Sequence, residues 1–376
     1  MSAPRLLDPD DADAPWPEGG TADRLYVEAF ARQGSQALIA NLRTRVLAAA
    51  CGDRVLPLTV NDDEYGDAYV CLPHSAYALY AKAELDLVNA GPWTPFLRLM
   101  ADLAGAAMRF GRLNRIVHLG NWMLSTNLHG GWTGAELPAL RALLTARFPT
   151  HVLALRSLTP WGDAELMATA RADGWILLPA RQIYVTDDLE RDWLPRRDTR
   201  RDLALLDRAQ VVRLDELRPG DAERIAALYA MLYLDRYSRL NPAFTPAFII
   251  LTHRLGLIRY EGVRAPDGRL AAVVGCWVRG GVLTTPIVGY DTTRPEQHGL
   301  YRMASALLAD AARRDGLRLN GSAGAPDFKK HRGARPVIEY SAYYAAHLPR
   351  RTRAVLVGLQ AILERLARPL MEARGL

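Results

Sequence analysis

The chain has 376 residues, 49% of them hydrophobic and 23% charged. That composition suits a globular protein with a sizeable core and excludes a disordered, collagen-like or disulfide-framework chain. Lysine and arginine number 47 against 41 acidic residues, a formal charge of +6, which favours an anionic ligand such as a phosphorylated cofactor or an RNA. Three cysteines, Cys51, Cys71 and Cys276, stand far apart with no CxxC pair, so no cysteine zinc site is expected and a reducing, cytoplasmic setting is.

Residues 1–22 are acidic, contain proline and glycine, and lack the apolar run of a signal peptide, so they read as a flexible leader. Residues 34–50 have helical spacing. The β-rich runs 54–60 and 68–72 flank a turn signal at 61–66 and suggest a hairpin. Helical patterns follow at 75–90 and 94–110, then a strand at 115–119, a helix at 136–148, a strand at 151–155 and a helix at 163–173. Residues 175–186 read as one bent strand or a strand pair. The most polar stretch, 187–201, is placed as a solvated linker helix between an N-terminal domain, 23–186, and a C-terminal one, 202–376.

The second half repeats the rhythm. A strand at 211–214 and a helix at 222–234 precede strands at 257–264, 270–277 and 282–289, joined at Pro266-Asp-Gly268 and Gly280-Gly281, where glycine accepts positive φ. A helix at 300–314 ends at Asp315-Gly316. A strand at 317–320, a glycine-flanked segment at 321–335 and a strand at 337–344 follow. Residues 350–374, with six arginines against two glutamates, read as a basic amphipathic helix docked on its domain. No apolar run reaches 18 residues, so no membrane span is expected. The fold class is α/β (mixed α+β), each half a mostly antiparallel sheet flanked by helices.

Several chemistries find no support. GxxxxGK[ST], a GxGxxG after a strand, GxSxG and HExxH are all absent, and the eight histidines have no metal-site spacing, so no metal is predicted. Three polar clusters of the second half remain. In the first, Asp235 to Phe244, Tyr237, Ser238 and Asn241 can point donors and acceptors into a cleft, although turn formation explains them equally well. The second, Gly289 to Arg302, runs from a strand end into a helix start and offers free N–H groups to an anion, with Arg294 and Arg302 adding charge and Gly299 allowing close approach. The third runs from Asn320 to Gly333 and on to Tyr340. Its small residues permit close backbone contact, and Lys329, Lys330 and Arg332 form a compact basic tooth suited to a diphosphate or an RNA backbone. Glu339 lies on a predicted strand among apolar residues, as a general base with raised pKa or as the partner of one of those cations.

The segments Tyr237-Ser-Arg-Leu-Asn-Pro242, Gly299-Leu-Tyr-Arg302 and Ser322 to Ala334 resemble the C-terminal domain of BioF2-like acyltransferases. These belong to the GNAT (acyl-CoA N-acyltransferase) superfamily and are similar in build to Fem-type aminoacyltransferases. Tyr69 to Tyr77, Asn121 to Asn127 and Ala180 to Val185 match in style, so the resemblance spans roughly residues 50–375. It implies tandem GNAT-like folds, with the acyl donor meeting a small-molecule acceptor in a cleft centred on the second. The stretch Arg294 to Tyr301, including His298 and Gly299, corresponds to the family's acyl-CoA loop and keeps one of its glycines.

The leading expectation is therefore an N-acyltransferase using acyl-CoA as co-substrate or a carrier-protein thioester. The alternatives are a Fem-type enzyme using charged aminoacyl-tRNA and a non-catalytic module binding a metabolite or partner; no DNA partner is expected. Glu339 is the expected base, with Asp235 second. Tyr301 is a leaving-group acid, and Tyr237, Ser238, Asn241 and Tyr290 are acceptor or oxyanion contacts. Arg294, His298, Gly299, Arg302, Ser322, Lys329, Lys330 and Arg332 are the donor contacts.

Overall fold

The computed structural model describes residues 3–87 and 94–374. Its strands are β1 (Arg5–Leu7), β2 (Arg45–Cys51), β3 (Arg54–Asn61), β4 (Ile116–Leu119), β5 (Val152–Leu158), β6 (Ile176–Thr186), β7 (Gln210–Arg213), β8 (Arg259–Arg264), β9 (Leu270–Arg279), β10 (Val282–Tyr290), β11 (Arg318–Asn320) and β12 (Arg335–Tyr344). All twelve form one sheet in the order β1-β2-β3-β4-β5-β12-β6-β11-β10-β9-β8-β7. The last strand crosses into the first half: β12 lies between β5 and β6, antiparallel to both. The first half in turn lends β6 to β11. The sheet is mostly antiparallel, and β4–β5 and β10–β11 are its parallel pairs.

Helices cover both faces: α1 (Thr21–Gln33), α2 (Ser35–Leu38), a π-helix (Ser75–Tyr80), α3 (Ala81–Leu87), α4 (Thr94–Phe110), α5 (Leu137–Arg147), α6 (Ala164–Ala172), α7 (Leu189–Asp192), α8 (Arg197–Leu206), α9 (Asp221–Tyr233), α10 (Pro246–Arg254), α11 (Leu300–Arg314), α12 (Pro326–His331), α13 (Arg350–Ile362) and α14 (Arg368–Arg374), the last two joined by a π-helical turn. One core spans both halves, with Tyr26, Val27 and Phe30 of α1 meeting Phe248, Trp277 and Ile287. Leu356 and Leu359 seat the closing helix α13 against Met108, Leu178 and Tyr343. Among the described residues no helix is long and apolar enough to cross a membrane.

Three expectations are corrected. Residues 34–50 hold one short helix and then β2, because Ala48, Ala49 and Ala50 are buried between two sheet neighbours and tertiary packing outweighs alanine's helix preference. The hairpin partner of β3 is consequently β2, turning at Gly52 with φ 58°, while 68–72 forms turns. The expected leader contains β1, paired with β2, and Leu7 is 1% exposed. Helix α1 and helix α10 also went unread. The end of the 75–90 pattern lies outside the described residues.

Candidate active site

Strand β11 makes the site possible. Its three residues pair with Val282–Thr284 of β10 on one side and with Val185 and Thr186 of β6 on the other. Beyond Asn320 the pairing with β10 ends while Gly321 N–H still donates to the Tyr184 carbonyl (2.8 Å) and Tyr184 N–H to the Ser322 carbonyl (3.1 Å), so β10 and β6 splay as the two arms of a fork. Ser322 and Ala325 in that turn take left-handed φ of 60° and 51°, a strained conformation that persists only where surrounding contacts hold it. Here the contacts are Ser322 N–H donating to Asn320 Oδ1 at 2.9 Å, and Lys329 Nζ donating to the carbonyls of Ser322 (3.1 Å) and Ala323 (2.7 Å).

The equivalent fork of the first half, beyond the parallel β4–β5 pair, is filled by the chain itself. Buried Arg156 donates to the carbonyls of Val70 and Leu124 and to Asn121 Oδ1, and Asn121 is 0% exposed.

Next to the fork, Glu339 of β12, the strand on the other side of β6, is 3% exposed and binds Arg181 of β6 through two hydrogen bonds, Nε–Oε1 2.9 Å and Nη2–Oε2 3.2 Å. The Arg181 Nη2 group also donates to the Ser125 carbonyl and Thr126 Oγ1, both at 2.8 Å. The ion-pair alternative is thus the one seen, and the partner is Arg181 instead of Lys329, Lys330 or Arg332. Burial alone would lower the Arg181 pKa, but Glu339 beside it carries it upward.

Lys329 shows the opposite balance. Desolvation, aided by Arg181, lowers its ammonium pKa to about 7. A neutral lysine amine has two N–H donors, which the Ser322 and Ala323 carbonyls occupy, and one lone pair left for a proton. An unfolded lysine titrates near 10.4, so between about pH 7 and pH 10 the unfolded chain binds more protons and folding stability rises with pH. Lys329→Met is expected to remove up to about 1.4 kcal/mol per pH unit of that rise, read from denaturant unfolding at successive pH values. Identical slopes in both proteins would contradict it.

Aromatic residues cluster beside the start of α11. Tyr301 contacts Tyr290 (ring centroids 6.0 Å) and Phe328 (4.8 Å), and desolvation raises the pKa of both phenols, that of Tyr301 the more. Arg236 donates to Tyr290 Oη at 3.4 Å. Tyr237 is 44% exposed at the rim. Asn241 is buried, and its amide donates to the carbonyls of Tyr233 and Ser238, while Ser238 Oγ accepts from Leu240 N–H; these two residues build the turn. Asp235 is exposed at the end of α9.

On the other side of Phe328 lies an open groove of about 490 Å³ lined by Asp198, Arg201, Leu205, Arg208, Arg302 and Arg332. Arg302 and Arg332 reach it together because both bind Asp202 of α8 at 2.6 Å. Arg332 also stacks on the Phe328 ring at 3.5 Å. Gly299, φ 66°, caps α11 so close to α8 that a β-carbon there would stand 2.9 Å from Leu205 Cδ1. The N-terminus of α11 therefore opens beside the arginines, where its free N–H groups favour an anion.

Arg294 does not join the groove. It folds back onto Asp291 (3.3 Å) and Asp267 (3.5 Å). Burial would raise the Asp291 carboxyl, but hydrogen bonds from Thr293 and Arg224 carry it down to about 2. His298 and Lys330 are exposed.

The residues missed from the sequence are Arg181, Asp202, Arg201 and Arg208. Arg201 lay in the charged 187–201 stretch, read there as a linker, and Arg181 in the 180–185 segment noted only for its resemblance. The thiols offer no nucleophile: all three cysteines are buried, and desolvation lifts Cys51 and Cys276 to about 12 and Cys71 to about 11.

No family model and no curated protein matches the chain. Similar solved structures include the C-terminal domain of a candidate lysylphosphatidylglycerol synthetase from Agrobacterium fabrum, 15% identical over 65% of this chain and 80% of that one, TM-score 0.45. FemX is 10% identical over 63% and 79%, TM-score 0.42. A tandem GNAT protein from the clavulanic acid biosynthesis pathway is 12% identical over 90% and 98%, TM-score 0.39. Likenesses at this level assign the chain neither an activity nor a substrate.

Proposed function

We propose that the protein is an acyltransferase that takes an activated acyl group from an anionic carrier and passes it to an amine. The observation that carries this reading is the juxtaposition near β11: an arginine-lined groove beside the start of α11 and a desolvated Lys329, with Phe328 in contact with both Arg332 and Tyr301. The carrier's phosphates lie against Arg201, Arg208, Arg302 and Arg332, and its acyl carbonyl passes Phe328 into the cleft. Lys329, whose ammonium form desolvation disfavours, takes the proton that the attacking amine must lose. Tyr301 stands at the wall between groove and cleft, where its hydroxyl can protonate the leaving oxygen or sulfur. Arg181 and Glu339 hold β6 and β12 together beneath the reacting groups and are positioning residues in this account.

Acyl-CoA, an acylated carrier protein and a charged tRNA all present phosphates beside an activated carbonyl, and the arginine groove suits each of them. Charge reversal of the two groove arginines that are free of Asp202, Arg201→Glu with Arg208→Glu, is expected to raise KM for the donor about tenfold or more with little change in kcat. Steady-state kinetics with acyl-CoA, and separately with charged tRNA before and after ribonuclease, checks this and identifies the carrier. An unchanged donor KM for every carrier would contradict the groove's role.

A further inference from the structure

We propose that the outward faces of α4 and α13 rest on an anionic lipid surface, their apolar side chains entering the headgroup layer while the arginines around them meet lipid phosphates. Neither helix contributes a residue to the candidate active site, so this contact stands apart from the transferase reading. Helix α4 buries one side, where Gly105 and Met108 are covered, yet its outward side is apolar as well. Leu99, Leu103, Ala106 and Phe110 follow the i, i+4, i+7, i+11 spacing of a single helix face and are all exposed. The two leucines are each 55% exposed and Phe110 is 65% exposed. A helix on a purely aqueous surface turns charge outward instead. Helix α13 lies directly alongside. A β-carbon on Gly111, just past the end of α4, would stand 3.2 Å from Val355 Cβ, and the Arg351 guanidinium lies 5.8 Å from the Phe110 ring centroid. Opposite its buried Leu356 and Leu359, α13 exposes Ala354, Val357, Gly358 and Ala361, again without a charge. The two helices therefore present one apolar face, the kind of patch that marks a protein or membrane contact.

Charge decides between those occupants. Asp102 is the one acidic residue of α4 and α13, and Lys82 holds it at 2.6 Å. Arg350, Arg351 and Arg353 open α13, and Arg365 follows it; all four are exposed and, among the described residues, none has an ion pair. A second copy of this chain docked on the same face would set arginine against arginine, which like-charge repulsion opposes. An acidic helical partner would match the charge, but such partners are seated in apolar grooves, whereas here the apolar groups stand on the crests of two helices. A bilayer containing anionic lipid matches both features. Exposed leucine and phenylalanine sink into its headgroup boundary, and nearby arginines are drawn to its negative surface. The helices lie along that surface, since neither is long and apolar enough to cross it.

The test is co-sedimentation of the full chain with vesicles of phosphatidylcholine alone and of phosphatidylcholine mixed equally with phosphatidylglycerol. The mixed vesicles are expected to bind at least about tenfold more tightly, and the difference should shrink as salt is raised. Leu99→Ser with Leu103→Ser, and separately Arg351→Gln with Arg353→Gln, should each weaken binding to the mixed vesicles about tenfold or more. Thermal unfolding of both variants should stay near that of the parent protein, because all four side chains are exposed. Absence of binding to the mixed vesicles overturns the lipid surface and leaves the face to an acidic protein. Full binding by the leucine variant, or equal binding to both kinds of vesicle, overturns it as well. A parent chain that sediments as a dimer without lipid, with a leucine variant that sediments as a monomer, assigns the face to a second copy and also overturns the proposal.

Discussion

Lys329→Met is expected to lower kcat/KM by about 10²–10⁴, the range over which a positioned acid or base contributes. The parent enzyme's activity should rise with pH through about 7, because Lys329, held down to about 7 by desolvation, must lose its proton before it can accept another. That acid limb should vanish in the variant. Lys329 also secures the strained 321–325 turn through the Ser322 and Ala323 carbonyls, so a loss in the methionine variant alone could report a disturbed turn. Lys329→Arg separates the two roles. Arginine keeps N–H donors for both carbonyls but stays protonated, so a folded and inactive Lys329→Arg supports the base. A Lys329→Arg variant with near-parental turnover, or an unchanged pH profile in Lys329→Met, contradicts it.

The second large effect concerns stability. Arg181→Met leaves the Glu339 carboxylate buried between β5, β6 and β12 without a partner, and breaking a buried pair from one side costs about 3–5 kcal/mol. Glu339→Met strands the guanidinium in the same way. Replacing both residues by methionine removes both charges at similar volume, and most of the lost stability should return. Urea midpoints for the two single variants and the double variant check this. Single variants within about 1 kcal/mol of the parent would contradict the pair's role. Glu339→Gln separates this role from catalysis: as a positioning residue it should lose stability and keep the acid limb near pH 7, whereas loss of that limb would return base duty to Glu339.

The second half was far more legible than the first, and the reason is physical. Strands β8, β9 and β10 follow one another as hairpins whose turns are written in Pro266-Asp-Gly268 and Gly280-Gly281, so local signals suffice. Residues 34–50 misled because an alanine-rich strand buried on both faces carries no alternation, and its composition favours helix. The crossing of β12 into the first half left no local trace, since its partners β5 and β6 lie more than a hundred residues away in sequence.

The candidate site divides in the same way. The clusters around Arg302 and around Lys329 and Arg332 were visible as anion-binding residue types near a helix start, and Asp202 and Phe328 bring them to one wall. The Arg294 side chain, visible by the same logic, is claimed by Asp291 and Asp267. Arg181 was hidden because it looked like any strand arginine. Its meaning comes from its register opposite Glu339, which is a property of the fold.

Native mass spectrometry of the protein as purified, and again after addition of CoA, an acylated carrier protein or charged tRNA, examines the whole arrangement at once. A phosphate-bearing carrier of defined mass should remain bound to the parent chain and be lost from the Arg201→Glu, Arg208→Glu variant. Retention of the same mass by both proteins, or of none of these carriers by either, would show that the mouth of the β10–β6 fork holds no donor.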